Sequence, residues 1–305
     1  MPNVASVIGK LVVVGVGLIG GSCALALRRA GAVREVVGVG RTQANLDVAL
    51  ERNIIDRACP LAGPWLREVA DADVVLLAAP VAQFPGLLRA LATTAGPDTV
   101  ITDAGSTKQD VLAAARATLG AALPRFVPGH PIAGTEHNGA AAAFPDLFVD
   151  RSVIVTPVAD TTPAAVARVT AMWTACGARV STLDPARHDA IFAAVSHLPH
   201  VLAFALVADL AARPDAATYF EHAASGFRDF TRIAGGSPEM WRDIALANRP
   251  ALLAELDAYR DTLTRARALL AASDGAGLAA LFTQASTARR DWERQRTLAV
   301  AKDGD

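Results

Sequence analysis

Lysine is nearly missing from this sequence. Only Lys10, Lys108 and Lys302 occur in 305 residues, so positive charge rests almost wholly on arginine and the place of each lysine becomes informative. Charge of either sign in excess is missing too: the formal net charge is −1. No basic field is available for nucleic acid or an anionic membrane, which leaves small molecules and a second copy of the chain as expected partners. Cysteine is scarce and odd in number. Cys23, Cys59 and Cys176 are far apart with no C-x-x-C pair, which argues against a disulfide framework or a zinc site and for free thiols in a reducing, cytoplasmic compartment. Beyond the first thirty or so residues no long uncharged apolar run stands out, so no transmembrane helix is expected. Repeats and low-complexity tracts are absent, and only Ala301–Asp305 reads as a frayed tail.

What is present is a bare backbone in an informative place. Residues Val12–Cys23 read VVVGVGLIGGSC, in which Gly15, Gly17 and Gly20 form G-x-G-x-x-G. The first glycine suits a tight turn, the second the approach of a pyrophosphate, and the third close packing of helix on strand. Leu18 and Ile19 then open a helix whose free N–H groups would hold the anion. The hexapeptide is weak by itself and needs a strand–turn–helix context. Leu11–Val14 supplies the strand, Ser22–Arg29 the helix with Gly31 as its C′ residue, and Val36–Val39 a second strand. A cleavable leader is the rival reading, since Lys10 precedes the run and Cys23 follows small residues; an h-region, however, is leucine-rich and is not followed at once by a strand.

Further apolar strands are expected within 73–80, 99–103, 125–127, 152–156 and 178–182, with helices between them. This alternation predicts an α/β fold with a doubly wound parallel sheet, assigned to residues 1–184 as the dinucleotide-binding domain. After Asp184-Pro185 long alanine- and leucine-rich segments such as 191–210 and 251–272 show helical spacing, so residues 185–305 are expected to form an all-helical domain.

Ligands of open α/β sheets bind beyond the carboxyl ends of the strands, and several polar clusters fall there. Ala79-Pro80 either lays main chain along a cofactor or merely ends its strand. Asp103 closes the next strand at the cofactor, and Ser106 is expected to cap the following helix while offering its hydroxyl to a ligand. His130 lies between Gly129 and Pro131 on a constrained loop. There its neutral imidazole would take the proton of a hydroxyl group as hydride leaves the carbon. His197 and His200 are three apart, but no carboxylate or cysteine nearby completes a metal set, so no metal is expected. Arg228 and Arg232, four apart on one helix face, suit a substrate with carboxylates, unless Asp229 or Glu221 pairs with one of them. Ser237 and Pro238 start another helix, one turn into which Trp241 could wall an apolar pocket.

The motifs GVGLIGGS (15–22), DAGSTK (103–108), GHPIAGTE (129–136), SHLPH (196–200) and GFRDFTRI (226–233) together resemble the prephenate/arogenate (cyclohexadienyl) dehydrogenase family of tyrosine biosynthesis. The resemblance implies a Rossmann-like domain followed by a helical dimerisation domain. It also implies NAD(P)-dependent oxidative decarboxylation of prephenate to 4-hydroxyphenylpyruvate, or of arogenate to tyrosine. Carried over, His130 is the catalytic histidine, Ser106 its hydroxyl partner and Arg232 the main carboxylate clamp. Thr135, Glu136, His200, Arg228 and Trp241 match positions that line the pocket. Arg228 departs from the lysine of many relatives. A β-hydroxyacid dehydrogenase is the nearest rival, but it would use a lysine early in the helical domain, where this sequence has none. A non-enzymatic dinucleotide sensor is the other, and His130, Arg228 and Arg232 speak against it. Gly40 stands where an NAD-specific site would carry an acid, and Arg41 and Thr42 follow it; NADP is therefore expected to serve at least as well as NAD.

Overall fold

The computed structural model describes residues 8–135 and 137–302, with side chains through residue 295. Glu136 and the terminal segment 303–305, which holds the end of the expected tail, lie outside the described residues. Six strands, β1 (Ile8–Val14), β2 (Val33–Gly40), β3 (Arg57–Pro60), β4 (Val74–Leu77), β5 (Val100–Asp103) and β6 (Phe126–Val127), form one parallel sheet in the order β3-β2-β1-β4-β5-β6. Both faces are buried, because alternate residues of each strand point opposite ways. Leu11, Val13, Val36, Val74 and Leu76 enter one core, while Val12, Val14, Val37, Val39, Val75 and Leu77 enter the other.

Helices α1 (Leu18–Arg29), α2 (Gln43–Glu51), α3 (Phe84–Leu91), α4 (Gln109–Thr118) and α5 (Pro163–Ala175) complete the α/β region. The first core takes Cys23, Ala24 and Leu27 of α1 with Val169 and Trp173 of α5; the second takes Phe84, Leu87, Leu88 and Leu91 of α3. Gly31 ends α1 at φ +64, and the amides of Gly31 and Ala32 bond the carbonyls of Arg28 and Leu27. That is the paired closure of a glycine C′ residue.

Two strands expected in the parallel sheet lie elsewhere. β7 (Gly129–Pro131), β8 (Ser152–Val155) and β9 (Arg179–Thr182) make a second, three-stranded sheet in which β7 runs antiparallel to β8. Pro128 has no N–H to continue the β6 ladder, so the chain leaves the first sheet there. Neither β3 nor β7 was evident as an apolar run, since β3 is Arg-Ala-Cys-Pro and β7 is Gly-His-Pro.

The rest is helical: α6 (Pro185–Phe192), α7 (Leu198–Ala211), α8 (Ala216–Glu221), α9 (Ser225–Thr231), α10 (Pro238–Ala247), α11 (Arg249–Ala271) and α12 (Gly275–Lys302). Asp184 caps α6 by accepting from the Ala186 and Arg187 amides at 2.9 and 3.0 Å. Ser237 caps α10, with Pro238 in its first turn, as expected. A wide π turn, Ala193–His197, joins α6 to α7 in one continuous helix, Pro185–Ala211. Pro199 explains it: a proline inside a helix lacks the donor and collides with the carbonyl four residues earlier, and a wider turn relieves both. By length and composition alone this helix could cross a membrane, which corrects the expectation that no such run follows the first βα unit. By contacts the chain divides into two compact units between Leu252 and Leu253, so α6–α10 belong to the same unit as both sheets.

Candidate active site

The carboxyl ends of β1, β2, β4 and β5 share one edge of the sheet, and the strand order reverses between β1 and β4, the crevice where such folds bind ligands. Each glycine of the loop after β1 has a separate physical reason. Gly15 has φ +102, and a Cβ there would stand 2.5 Å from the Ala78 carbonyl oxygen. Only glycine fits. A Cβ on Gly20 would strike the Gly15 carbonyl oxygen and come within 2.7 Å of Val13, so this glycine lets α1 lie on β1. At Gly17 a Cβ would meet nothing. Its surface is open, and Gly17 is the N-cap of α1, with no side-chain cap and no acid in the first turn. The amides at Leu18 and Ile19 therefore stand at a positive helix end without a partner among the described residues, and a pyrophosphate fits there. Ala79 and Pro80 follow Ala78, the residue packed on Gly15, so they border the same loop. Arg41 and Thr42 are exposed at the end of β2. Arg41 has no ion-pair partner among the described residues. A side chain at Gly40 would press on Leu46, its Cβ at 3.0 Å.

Asp103, expected at the cofactor, is turned inward instead. Its carboxylate is fully buried, ion-pairs with the fully buried Lys108 and accepts from the Gly105 and Gly129 amides at 2.8 and 3.1 Å. Burial raises the Asp103 pKa, while the Lys108 ammonium and the two amides oppose the rise. No accessible surface is left on Asp103 for a ligand. Lys108 Nζ also donates to the Gly129 carbonyl at 2.7 Å, tying the segment after β5 to the strand that carries His130.

Ser106 does not cap α4. That helix starts at Gln109, and its first amides are taken by Asp189 of α6, which accepts from Lys108 N at 2.9 Å and Gln109 N at 2.8 Å. A carboxylate from another helix has displaced the local hydroxyl. Ser106 stays half-buried and makes no hydrogen bond among the described residues, which leaves its hydroxyl available.

His130 lies on β7, almost fully buried. Its Nδ1 is 2.9 Å from Nε2 of His188, whose Nδ1 is 2.8 Å from Oδ1 of Asp189. Phe192 packs edge-on against His130, with ring centres 4.8 Å apart. Burial, then the nearby His188, Lys108 and His197, hold the His130 pKa well below the usual histidine range. It is a neutral base at ordinary pH. His188 and Asp189 were not singled out from the sequence, although a polar His-Asp pair one turn before Phe192 is a visible signal.

The helical residues form an adjoining group. His197 is buried, accepts from the Asn248 side-chain amide at Nδ1 at 3.1 Å, and has its pKa pushed down to about 4 by burial. His200 stacks on Trp241 with ring centres 3.4 Å apart, and its Nδ1 lies 2.8 Å from the Ser196 carbonyl. Burial lowers its pKa, and the Arg232 charge nearby lowers it further. A cavity of about 240 Å³ opens beside this stack, lined also by Val201, Phe204 and Ala245. Arg228 lies on α9, which ends at Thr231, and Arg232, four residues on, opens the 3₁₀ turn Arg232–Gly235. Both are exposed and neither has an ion-pair partner among the described residues, so the alternative of pairing with Asp229 or Glu221 is not realised. Thr135 is exposed and accepts from the His137 amide at 3.2 Å. Among the described residues no three His, Cys, Asp or Glu side chains gather as metal ligands.

Comparison with known proteins covers nearly the whole chain. Residues 23–182 match the family model described as prephenate dehydrogenase, nucleotide-binding domain, and residues 184–284 that described as prephenate dehydrogenase, dimerization domain. The cyclohexadienyl dehydrogenase of Zymomonas mobilis is 35% identical over 93% of this chain and 96% of its own length. The crystal structure of Aquifex aeolicus prephenate dehydrogenase with hydroxyphenyl propionate and NAD⁺ superposes with a TM-score of 0.86 at 33% identity, covering 93% of this chain and 98% of that one. Synechocystis arogenate dehydrogenase gives a TM-score of 0.77 at 32% identity, covering 93% and 99%.

Proposed function

We infer the chemistry from the premise that this chain belongs to the prephenate dehydrogenase family. It is an NAD(P)-dependent oxidoreductase that oxidatively decarboxylates prephenate or arogenate in tyrosine biosynthesis. One observation supports its residue-level reading above the rest. A buried histidine at the carboxyl edge of the sheet is held neutral and has one ring nitrogen occupied by His188, while the other has no partner among the described residues.

The bound cofactor supplies a hydride acceptor for C4 of the cyclohexadienyl ring. His130 takes the C4 hydroxyl proton through its free ring nitrogen, and Ser106 donates or accepts beside it. With C4 a carbonyl, the ring is a vinylogous β-keto acid: the bond to the carboxylate breaks, CO₂ leaves, and its electron pair completes an aromatic ring. No further acid or base is needed for that loss, so the protein's remaining work is alignment and charge. Arg232 clamps a substrate carboxylate bidentately, Arg228 adds a second cation, and His200, Trp241 and Thr135 line the pocket. Gly15, Gly17, Leu18, Ile19, Gly20, Ala79 and Pro80 hold the dinucleotide.

For the finer points, residues 1–184 form the cofactor domain and 185–305 the substrate and dimerisation domain. NADP serves at least as well as NAD, because Arg41 has no ion-pair partner among the described residues and Gly40 offers no carboxylate to repel a 2′-phosphate. The partner is a second copy of the chain. Leu206 and Leu246 in the first unit, and Leu263, Leu270 and Phe282 in the second, are exposed large apolar side chains in need of cover. The test is absorbance of the reduced cofactor with prephenate and arogenate, each with NAD and NADP. His130→Asn should keep cofactor affinity and lower kcat by roughly 10²–10⁴-fold. Parental kcat in that variant removes His130 from the mechanism.

A further inference from the structure

We propose that Asp189 and His188 are positioning residues that fix the tautomer of His130, presenting its Nε2 lone pair to the substrate hydroxyl. This rests on His130 being the proton acceptor. Asp189 receives three N–H donors: the amides of Lys108 and Gln109 and the ring of His188. Burial alone would raise its pKa, but the bond from His188 and those from the two amides outweigh burial and leave the carboxyl below its ordinary range. An ionised carboxylate only accepts. His188 Nδ1 must therefore carry its proton.

With that single N–H, His188 leaves Nε2 as a lone pair, 2.9 Å from His130 Nδ1. With His188 in that form, the contact is a hydrogen bond when His130 donates from Nδ1. Its Nε2 is then unprotonated. Phe192 fixes the ring planes as well, lying 4.8 Å from His130 and 4.5 Å from His188. When the substrate O–H bond breaks and an N–H bond forms at Nε2, the new positive charge is shared with a ring whose far side faces a carboxylate. The proton on Nδ1 need not move, and the one gained at Nε2 leaves to water after the product departs. Other charges face the pair from every side. Lys108 stands behind the Gly129 carbonyl with its partner Asp103, and His197 follows on the same continuous helix as His188. Burial, His188 and Lys108 disfavour charge on His130 in the resting state, and the Asp189 carboxylate, reached through His188, opposes them at the moment of transfer.

The same contacts explain why α6 and α4 are tied together. Asp189 caps α4 and orients His188 with one carboxylate, and the Asn248 side chain holds the Asp189 main chain at 2.8 Å. The base is thus registered on two helices and a strand rather than on a loop.

Two measurements test the proposal. Ring ¹⁵N shifts of the labelled parent enzyme, with the His130 signals assigned by their loss in His130→Asn, should show Nδ1 protonated and Nε2 bare at neutral pH. Second, His188→Leu removes the acceptor, whereas His188→Gln can accept from His130 with its carbonyl and donate to Asp189 with its amide. Leucine should lower kcat by roughly tenfold or more at unchanged KM for the cofactor, and glutamine should restore most of it. A parental spectrum with Nε2 protonated overturns the proposal whatever the variants do, and so does parental kcat in His188→Leu. The spectrum is read on the unaltered enzyme and needs no variant at 188 to fold. It also stands apart from the kcat of His130→Asn, so failure of the base assignment and failure of the tautomer assignment remain distinguishable.

Discussion

Lys108→Met asks what a lysine is doing where no water reaches. Lys108 and Asp103 are both 0% exposed and form one ion pair, with Lys108 also bonded to the Gly129 carbonyl. Methionine keeps most of the stem's volume, so little cavity forms and the change is chiefly the loss of the ammonium. Asp103 keeps two amide donors but loses its counter-charge. Leaving one member of a buried pair costs about 3–5 kcal/mol, which at ~2–4 °C per kcal/mol for a domain of this size lowers Tm by roughly 6–20 °C.

The sign of the pH dependence gives a sharper check. Burial already raises the Asp103 pKa against the pull of Lys108, and removing Lys108 raises it further. A carboxyl whose folded-state pKa lies above its unfolded value destabilises the fold at high pH, and that penalty fades as pH falls through the folded value and the group takes a proton. The Tm gap between parent and variant, followed by differential scanning fluorimetry at fixed protein concentration, should therefore narrow from about pH 8 to about pH 5. Adding Asp103→Asn to Lys108→Met should recover much of the loss, because no buried charge then remains. A gap that is small at high pH, or constant across the range, would refute the reading of this pair as an ionised structural tie.

Other outcomes follow from the same geometry. Arg232→Gln should raise KM for prephenate with kcat little changed, since a carboxylate clamp acts in ground and transition states alike; an unchanged KM with lowered Tm would make Arg232 structural instead. Arg41→Ala should weaken NADP by about 1.5–3 kcal/mol and leave NAD nearly untouched, as measured by fluorescence titration, and equal losses for both cofactors would remove the 2′-phosphate contact. His197 is held near pKa 4 by burial, so the unfolded chain protonates first as pH falls. Stability should drop between about pH 6.5 and 4, and less so in His197→Gln; identical pH profiles of Tm would show that His197 does not carry the effect.

The parts of this molecule legible from the sequence are those whose physics is local. G-x-G-x-x-G could be read because each glycine answers a backbone demand within a few residues: a positive φ at Gly15, an open surface at Gly17, a helix seated on a strand at Gly20. The cap at Ser237 and the C′ glycine at Gly31 were legible for the same reason. Ser106 misled because the local rule was sound but a non-local competitor won. Asp189, some eighty residues on, brings a full charge to the α4 amides, and a charge-assisted acceptor outbids a hydroxyl. Asp103 misled likewise: its place at a strand end suggested a ligand, and only the fold reveals that Lys108 doubles back onto it.

That pattern bears on how such a site keeps one geometry at its base. The residues nearest the chemistry are held by contacts distant in sequence: His130 by His188, the β7 carbonyl by Lys108, the α4 terminus by Asp189, and Asp189 by Asn248. The residues assigned to hold substrate arms, Thr135, Arg228 and Arg232, are exposed and carry few internal bonds. Rigid placement is needed where a proton and a hydride must leave neighbouring atoms, since small misplacements there are costly, whereas carboxylates tolerate a clamp that closes on arrival. The division between buried, cross-linked base and exposed, unpaired cations is therefore what oxidative decarboxylation of a twice-anionic ring asks of a protein. It also says where sequence alone must fail: at the buried half, whose partners lie up to 81 residues apart.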